Sequence, residues 1–196
     1  MIELNMNNLF LKQFWTEYGM LFVFHLPFMV MVGLLCLDIN NWDFVLTYSA
    51  YFGLGFFVLT LILNPLKQVY GWAWVTDINR YRRELGIASF SYVCVHLACF
   101  IIKRALNGFW EGLIYFFHPA IIPAFWIAFP ILLFLTLTSN DYAVKRLKYK
   151  RWKGLHKSVY IAEMAIMAHL VLTDNSVLML SVFMPLVCLQ GLRWRK

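Results

Sequence analysis

The sequence predicts an all-α integral membrane protein, a bundle of six transmembrane helices with both termini in the cytoplasm. Three observations lead there: the composition, six apolar runs of near-spanning length, and the placing of the cations. Of 196 residues, 62% are hydrophobic, 18% aromatic and only 14% charged, whereas soluble domains run near half apolar and a quarter charged. Such a chain cannot cover itself with polar surface, and a bilayer is its natural solvent.

The runs are Tyr18–Leu37, Phe44–Leu63, Leu85–Ile102, Ala120–Thr138, His156–Leu172 and Val177–Leu192. Most approach the ~20 residues that a hydrocarbon core of about 30 Å requires. No run shows the long alternation of a barrel strand, so their backbones must be hydrogen-bonded within helices. The first run carries His25 and Pro27, and the second closes on Asn64-Pro65. The third follows Arg82 and Arg83 and carries His96; the fourth holds Pro123 and Pro130 and closes on "LTLTSN". The fifth and sixth are shorter: the fifth carries His156, Glu163 and His169, and the sixth carries Pro185. Prolines at 27, 123, 130 and 185 predict kinks or local breaks within these spans.

Cations settle the orientation. With the N-terminus inside, the inner segments hold Lys12, then Lys67, Arg80, Arg82 and Arg83. A second inner connection runs from Lys145 to Lys157 with seven cations, and the tail adds Arg193, Arg195 and Lys196. Fifteen of the 17 Lys and Arg residues fall inside, leaving only Lys103 and Arg104 outside, as the positive-inside rule requires. The formal net charge of +7 is therefore a topology signal, and nucleic acid is not an expected partner. The outer connection "RALNGFWEGLIYFFHP" predicts an interfacial helix rich in Trp and Phe.

Cys36, Cys94, Cys99 and Cys188 stand singly in apolar runs, without a zinc spacing, and read as small core residues. The N-terminus "MIELNMNNLF" has no basic region and no small-residue cleavage site, so the first run is expected to be retained. No linker or composition shift divides the chain, and a single domain over 1–196 is expected. No internal repeat is evident, which weakens an inverted-repeat transporter.

The intramembrane histidines give the chemistry. His96 lies twelve residues past Glu84, and His169 lies twelve past Lys157, on spans that run the same way. At 1.5 Å per residue both sit roughly 18 Å up from the inner face. Matched depth on parallel helices is what two axial ligands of one haem iron need. Copper or zinc would also accept imidazole, but two histidines without a third ligand or a thiolate make a poor zinc site. Two packed, hydrogen-bonded histidines are the competing reading. His156 precedes His169 by thirteen residues, an offset of about 140° on an ideal helix, and Arg83 holds its level on the third span. A second bis-histidine site therefore lacks a partner, which leaves His156 a quinone or flavin contact, a haem ligand with a non-histidine partner, or a residue of the polar boundary. His25 lies at middle depth and could face the same interior. His118 reads as an interfacial residue or a propionate contact, and Glu163 as a proton carrier, a partner to a cation, or a buried, hydrogen-bonded acid.

The order "NP", "RYRRELGIASFSYVCVHL", "LTLTSN", "WKGLHKSVY" and "AHL" resembles the MsrQ (YedZ) family over about residues 18 to 190. That family supplies the haem-binding membrane subunit of the periplasmic methionine-sulfoxide reductase system. It belongs to the wider ferric-reductase-like transmembrane family, which includes the NADPH-oxidase membrane domain. The resemblance implies a b-type cytochrome, an electron-transfer subunit of an oxidoreductase complex in the bacterial inner membrane. His96, His156 and His169 fall on the family's histidine positions, and Arg82, Arg83 and Gly86 on its entry to span three. The implied cofactor is haem b, one or two copies, with Arg82 and Arg83 as propionate or flavin contacts. FMN is associated with the family, although no stretch here reads as a flavin motif. Electrons would come from quinol or a cytosolic flavin reductase and pass to a periplasmic, molybdopterin-containing subunit that reduces oxidised methionines.

Two departures stand out. The family's Arg-Pro-aromatic entry to span four reads "FHPA" here, with His118 in place of the arginine. Span three has one histidine rather than the two of the oxidase branch, and no flavin or NADPH domain follows residue 196, so a separate electron donor is expected. A stand-alone ferric or quinone reductase with another acceptor is a second reading. A transport or structural membrane protein with packed histidines is a third.

Overall fold

The computed structural model describes residues 19–37 and 42–194. Lys12, the start of the first run at Tyr18, Arg195 and Lys196 lie outside the described residues, as do the side chains of Cys36 and Arg193. Among the described residues every regular element is a helix. In chain order they are α1 (Met20–Leu37), α2 (Trp42–Tyr70), α3 (Ala73–Asn79), α4 (Arg82–Asn107) and α5 (Phe109–Tyr115). A π-helical segment (Pro123–Ala128) then leads into α6 (Phe129–Leu137), followed by α7 (Asp141–Leu147), α8 (Tyr149–His156), α9 (Val159–Leu172) and α10 (Ser176–Trp194).

Three stretches, Trp42–Tyr70, Arg82–Leu106 and Tyr149–Leu172, are long and apolar enough to cross a membrane. Pro123–Leu137 passes the same test only together with Asp141–Leu147, at a bend of 94°. Phe22–Leu34 and Ser176–Leu192 are apolar but shorter. Each of the six expected runs thus holds helix. Two helices outrun their apolar stretch: α2 continues through Pro65 to Tyr70 rather than ending at Leu63, and α4 spans Arg82 to Asn107. The backbone keeps its internal hydrogen bonds where polar flanks carry the helix beyond the apolar stretch, and Pro65 removes only one N–H from the ladder.

The prolines act in different ways. Beside Pro27, Tyr92 of α4 inserts its hydroxyl into α1, donating to the Phe24 carbonyl at 3.0 Å and accepting from the Phe28 N–H at 2.9 Å. Those two groups are the partners of one intrahelical bond, so a neighbouring helix supports α1 where proline disturbs it. Between Pro123 and Pro130 the chain widens into the π-helical segment, with the Phe129 N–H bonded to the Ala124 carbonyl five residues back. Pro185 lies inside a continuous α10.

The antiparallel pair α2 and α4 forms the central seam. Gly53 permits close approach: a Cβ there would sit 3.4 Å from both Tyr92 Cβ and Val93 Cγ2. Across the gap the Ser89 hydroxyl donates to the Gly53 carbonyl at 2.9 Å, a small-residue contact suited to helix association in lipid. One apolar core joins Phe57 and Leu61 of α2 with Leu132, Ala162, Phe183 and Leu186 of the later helices. A second joins α1, α2 and α4 through Met31, Val45, Tyr92 and Cys99. Cys94, Cys99 and Cys188 are free thiols; Cys99 is buried, while Cys188 is exposed on α10.

The connection "RALNGFWEGLIYFFHP" forms a helix, α5, which folds back along α4. Its entry needs Gly108, at φ 142°, and Gly112 lies where a Cβ would meet the Arg104 backbone at 3.4 Å. Trp110 and Ile114 on it are exposed.

Candidate functional site: two cavities along the bundle

Two cavities lie between the helices and share Phe57, Ser89 and Leu132 in their walls. One, of about 460 Å³, contains both His96 and His169; the other, of about 510 Å³, contains His156 together with Arg82, Arg83, Lys153 and Lys157. Both volumes lie within the ~300–1,000 Å³ usual for cofactor and small-molecule sites. They are called here the histidine cavity and the basic cavity.

The helical seam positions His96. Seven residues beyond the Ser89–Gly53 contact, on the same antiparallel pair, His96 Nδ1 bonds to the Leu46 carbonyl at 2.8 Å. Two turns of each helix separate the contacts, so the packing at Gly53 sets the register at His96. From the other side, His169 Nδ1 of α9 bonds to the Ala120 carbonyl at 2.6 Å, just ahead of the π-helical segment. A carbonyl can only accept, so in both rings Nδ1 carries the proton and Nε2 carries the lone pair. Metal-bound imidazoles are held in this way, the second ring N–H tied to a carbonyl or carboxylate. The rest of the wall is mostly apolar, with Phe57, Phe125, Phe129 and Ile166 among others, and Thr47, Ser89, Thr173 and Asn175 as polar members. Phe125 and Phe129 come from the π-helical turn and its exit, a turn type often found at functional sites. Among the described residues no third His, Cys, Asp or Glu joins the pair. Two imidazole lone pairs in an apolar cavity fit a metal that brings its remaining ligands with it, as in a porphyrin.

The basic cavity is built differently. His156 Nε2 lies 3.2 Å from the Thr138 hydroxyl, which is itself aimed at the Phe134 carbonyl at 2.7 Å. The histidine is therefore the donor, through Nε2, leaving Nδ1 as the acceptor. Its ring lies over Trp152, with centroids 4.1 Å apart, and the Trp152 indole N–H donates to the Thr138 carbonyl at 2.9 Å. Arg82 is braced by its Nε–H to the Thr60 carbonyl at 2.9 Å, and Arg83 by Asp141 at 2.6 Å. That Arg83 hydrogen bond, and then the guanidinium charge, holds the Asp141 carboxyl below the usual carboxylate range, although both side chains are exposed. Cations and flat aromatic faces together suit a planar anion.

The other candidates take separate places. His25 bonds through Nε2 to the Ser91 hydroxyl at 3.0 Å and lies beside Tyr92, and neither cavity wall includes it. His118 stacks on Tyr115 at 5.0 Å, with the Arg104 guanidinium 3.7 Å from the centre of the same tyrosine ring. Tyr115 lines the histidine cavity at the α5 end. Glu163 is buried on α9, with the Gln190 amide 3.2 Å from both its oxygens. Sequence reasoning missed Tyr115, Trp152, Thr138 and Gln190. The one available signal was Trp152, four residues before His156 and so on the same helical face.

Comparison with known proteins places this architecture. The ferric reductase like transmembrane component family matches residues 18–167. The chain is 34% identical over 152 residues to MsrQ of Azospira oryzae, named the heme-binding subunit of a protein-methionine-sulfoxide reductase, covering 72% of this chain and 60% of that protein. It is 33% identical over 125 residues to the MsrQ of Herminiimonas arsenicoxydans, covering 64% of this chain and 56% of that one. It is also 30% identical over 161 residues to the magnetosome protein MamZ of Paramagnetospirillum magneticum, covering 76% of this chain and 24% of that protein. The chain thus spans less than two thirds of the length of each. No solved structure matches. With the match covering most of the chain, and with spanning helices around it, this membrane protein belongs to the ferric-reductase-like transmembrane family.

Proposed function

We propose that the chain is a b-type cytochrome subunit that moves electrons across the bacterial inner membrane to a periplasmic methionine-sulfoxide reductase. It does so as six spans with both termini in the cytoplasm, the arrangement that puts fifteen of the 17 cations inside. One observation carries the reading: His96 and His169 enter one apolar cavity from separate helices, each with its Nδ1–H committed to a backbone carbonyl. Their Nε2 atoms would be the axial ligands of a haem, which supplies a one-electron carrier. The carbonyl tethers fix tautomer and ring orientation, and the aromatic wall excludes water. His25 takes no part.

The basic cavity serves the donor side. Arg82, Arg83, Lys153 and Lys157 attract an anionic group, and Trp152 offers a flat face to a ring system. A flavin mononucleotide fits both properties, as a resident group or as the point where a cytosolic flavin reductase or quinol delivers electrons. His156 is the single histidine in this cavity's wall and spends Nε2 on Thr138, so we assign one haem to the chain. At the other end Arg104, Tyr115 and His118 form the face toward the periplasmic, molybdopterin-containing acceptor.

A reduced-minus-oxidised absorption spectrum of the purified protein tests the reading. A b-type band at one haem per chain supports it, and no band removes it. Co-purification of a periplasmic molybdoenzyme tests the acceptor separately.

A further inference from the structure

Midway between the cavities lies an acid that neither cavity uses. Glu163 is 4% exposed, in a helix where Ala162 is 0% and Ala165 6% exposed. It follows Val159 of the basic cavity by four residues, and precedes Ile166 and Leu170 of the histidine cavity by three and seven. At 100° per residue, Val159 and Leu170 lie within about 40° of it on α9. By rise it stands ~6 Å from the first and ~4.5 Å from Ile166 along the axis.

Its partner suits two protonation states. The Gln190 amide donates to both oxygens at 3.2 Å. Turned over, the same amide would present its oxygen to a protonated carboxyl. A lysine or arginine there would fix the charge; a glutamine does not. One neutral amide is also slight compensation for a full negative charge in an apolar interior. A positive charge gained or lost nearby therefore decides whether the carboxyl keeps its proton.

The surrounding elements carry the other ionisable groups. α9 itself carries Tyr160 and His169, and α10 carries Cys188 and, three residues beyond Gln190, Arg193. The π-helical segment and α6 carry none; α2 has Asp43, Tyr48, Tyr51, Lys67 and Tyr70, and α4 has Arg82, Arg83, Glu84, Tyr92, Cys94, His96, Cys99, Lys103 and Arg104. Among the described residues, Gln190 is the hydrogen-bonding partner recorded for the carboxyl.

We propose that Glu163 is a redox-linked proton site: it takes up a proton when an electron arrives in the histidine cavity and returns it when the electron leaves. One electron enters from the quinol or reduced flavin, and one proton enters from water on the basic-cavity side. Both depart in turn, so the net charge of the interior stays constant and no group is consumed. The proposal rests on the haem reading above.

Potentiometric titration of the full-length, haem-loaded protein across a pH series tests it, in wild type, Glu163→Gln and Glu163→Asp. The wild-type midpoint potential should fall as pH rises, by up to ~59 mV per pH unit, the one-electron equivalent of a tenfold change. Glu163→Gln should flatten that slope, and Glu163→Asp should keep it. Redox-difference infrared spectroscopy on the unaltered protein gives a second readout, a carboxylic-acid carbonyl stretch that appears on reduction. A haem whose potential ignores pH, a slope that survives in Glu163→Gln, or the lack of that infrared signal overturns the proposal. Absence of any b-type band would instead overturn the haem reading itself.

Discussion

The histidine cavity and the basic cavity share part of one wall, yet their histidines are committed in opposite senses. His96 and His169 donate from Nδ1 to backbone carbonyls, which leaves two Nε2 lone pairs in an apolar space. His156 donates from Nε2 to a hydroxyl and lies against an indole among four cations. The first arrangement suits a group held by its metal; the second suits an anion held by charge and stacking. The same residue type thus serves two purposes, and the partner of its other nitrogen decides which.

The α2–α4 seam is the place where the histidine cavity can be broken without touching a histidine. Gly53→Leu forces a branched side chain against Tyr92 and Val93 and should cost roughly 1–3 kcal/mol. Thermal unfolding in detergent measures this, and haem content should fall with it, because the same seam fixes His96. Tyr92→Phe removes the hydroxyl that bonds both the Phe24 carbonyl and the Phe28 N–H beside Pro27. Up to ~1–3 kcal/mol should be lost, with the haem spectrum of the surviving protein unaltered.

Trp152→Ala acts on the basic cavity alone. It removes the face under His156, and FMN affinity in an equilibrium titration should weaken by about tenfold, some 1.4 kcal/mol. The optical spectrum of the histidine cavity should stay as it was. Asp141→Asn has the smallest effect expected. The folded carboxyl is held below its unfolded value, so its contribution is complete at neutral pH and fades as pH drops through the folded value, below about pH 4. Replacing it should flatten the acid side of the stability profile and leave neutral pH almost unchanged, since the pair is exposed and screened by salt.

The helical, membrane-spanning character was legible in the residues, because hydrophobic length is a one-dimensional signal. The count of twelve residues from Glu84 to His96, and from Lys157 to His169, set the two histidines at one expected depth, and both line one cavity. What fixes those rings was not legible: the Leu46 and Ala120 acceptors are main-chain carbonyls, which every residue owns. Pro27 signalled trouble in the first helix, but only the fold shows Tyr92, 65 positions away, bonding the Phe24 carbonyl and the Phe28 N–H beside it. His25 shows the converse: its depth admitted it to the interior, and its direction took it to Ser91. The continuation of α2 through Pro65 likewise escaped a reading that treats proline as a terminator.

Haem retention in single histidine variants tests the central claim most directly. Haem per chain and the reduced-minus-oxidised spectrum should be compared among wild type, His96→Ala, His169→Ala and His156→Ala. Each of the first two replacements should abolish or strongly reduce the b-type signal, and His156→Ala should preserve it. Full haem content in His96→Ala or His169→Ala, or its loss only in His156→Ala, would contradict the assignment of the histidine cavity.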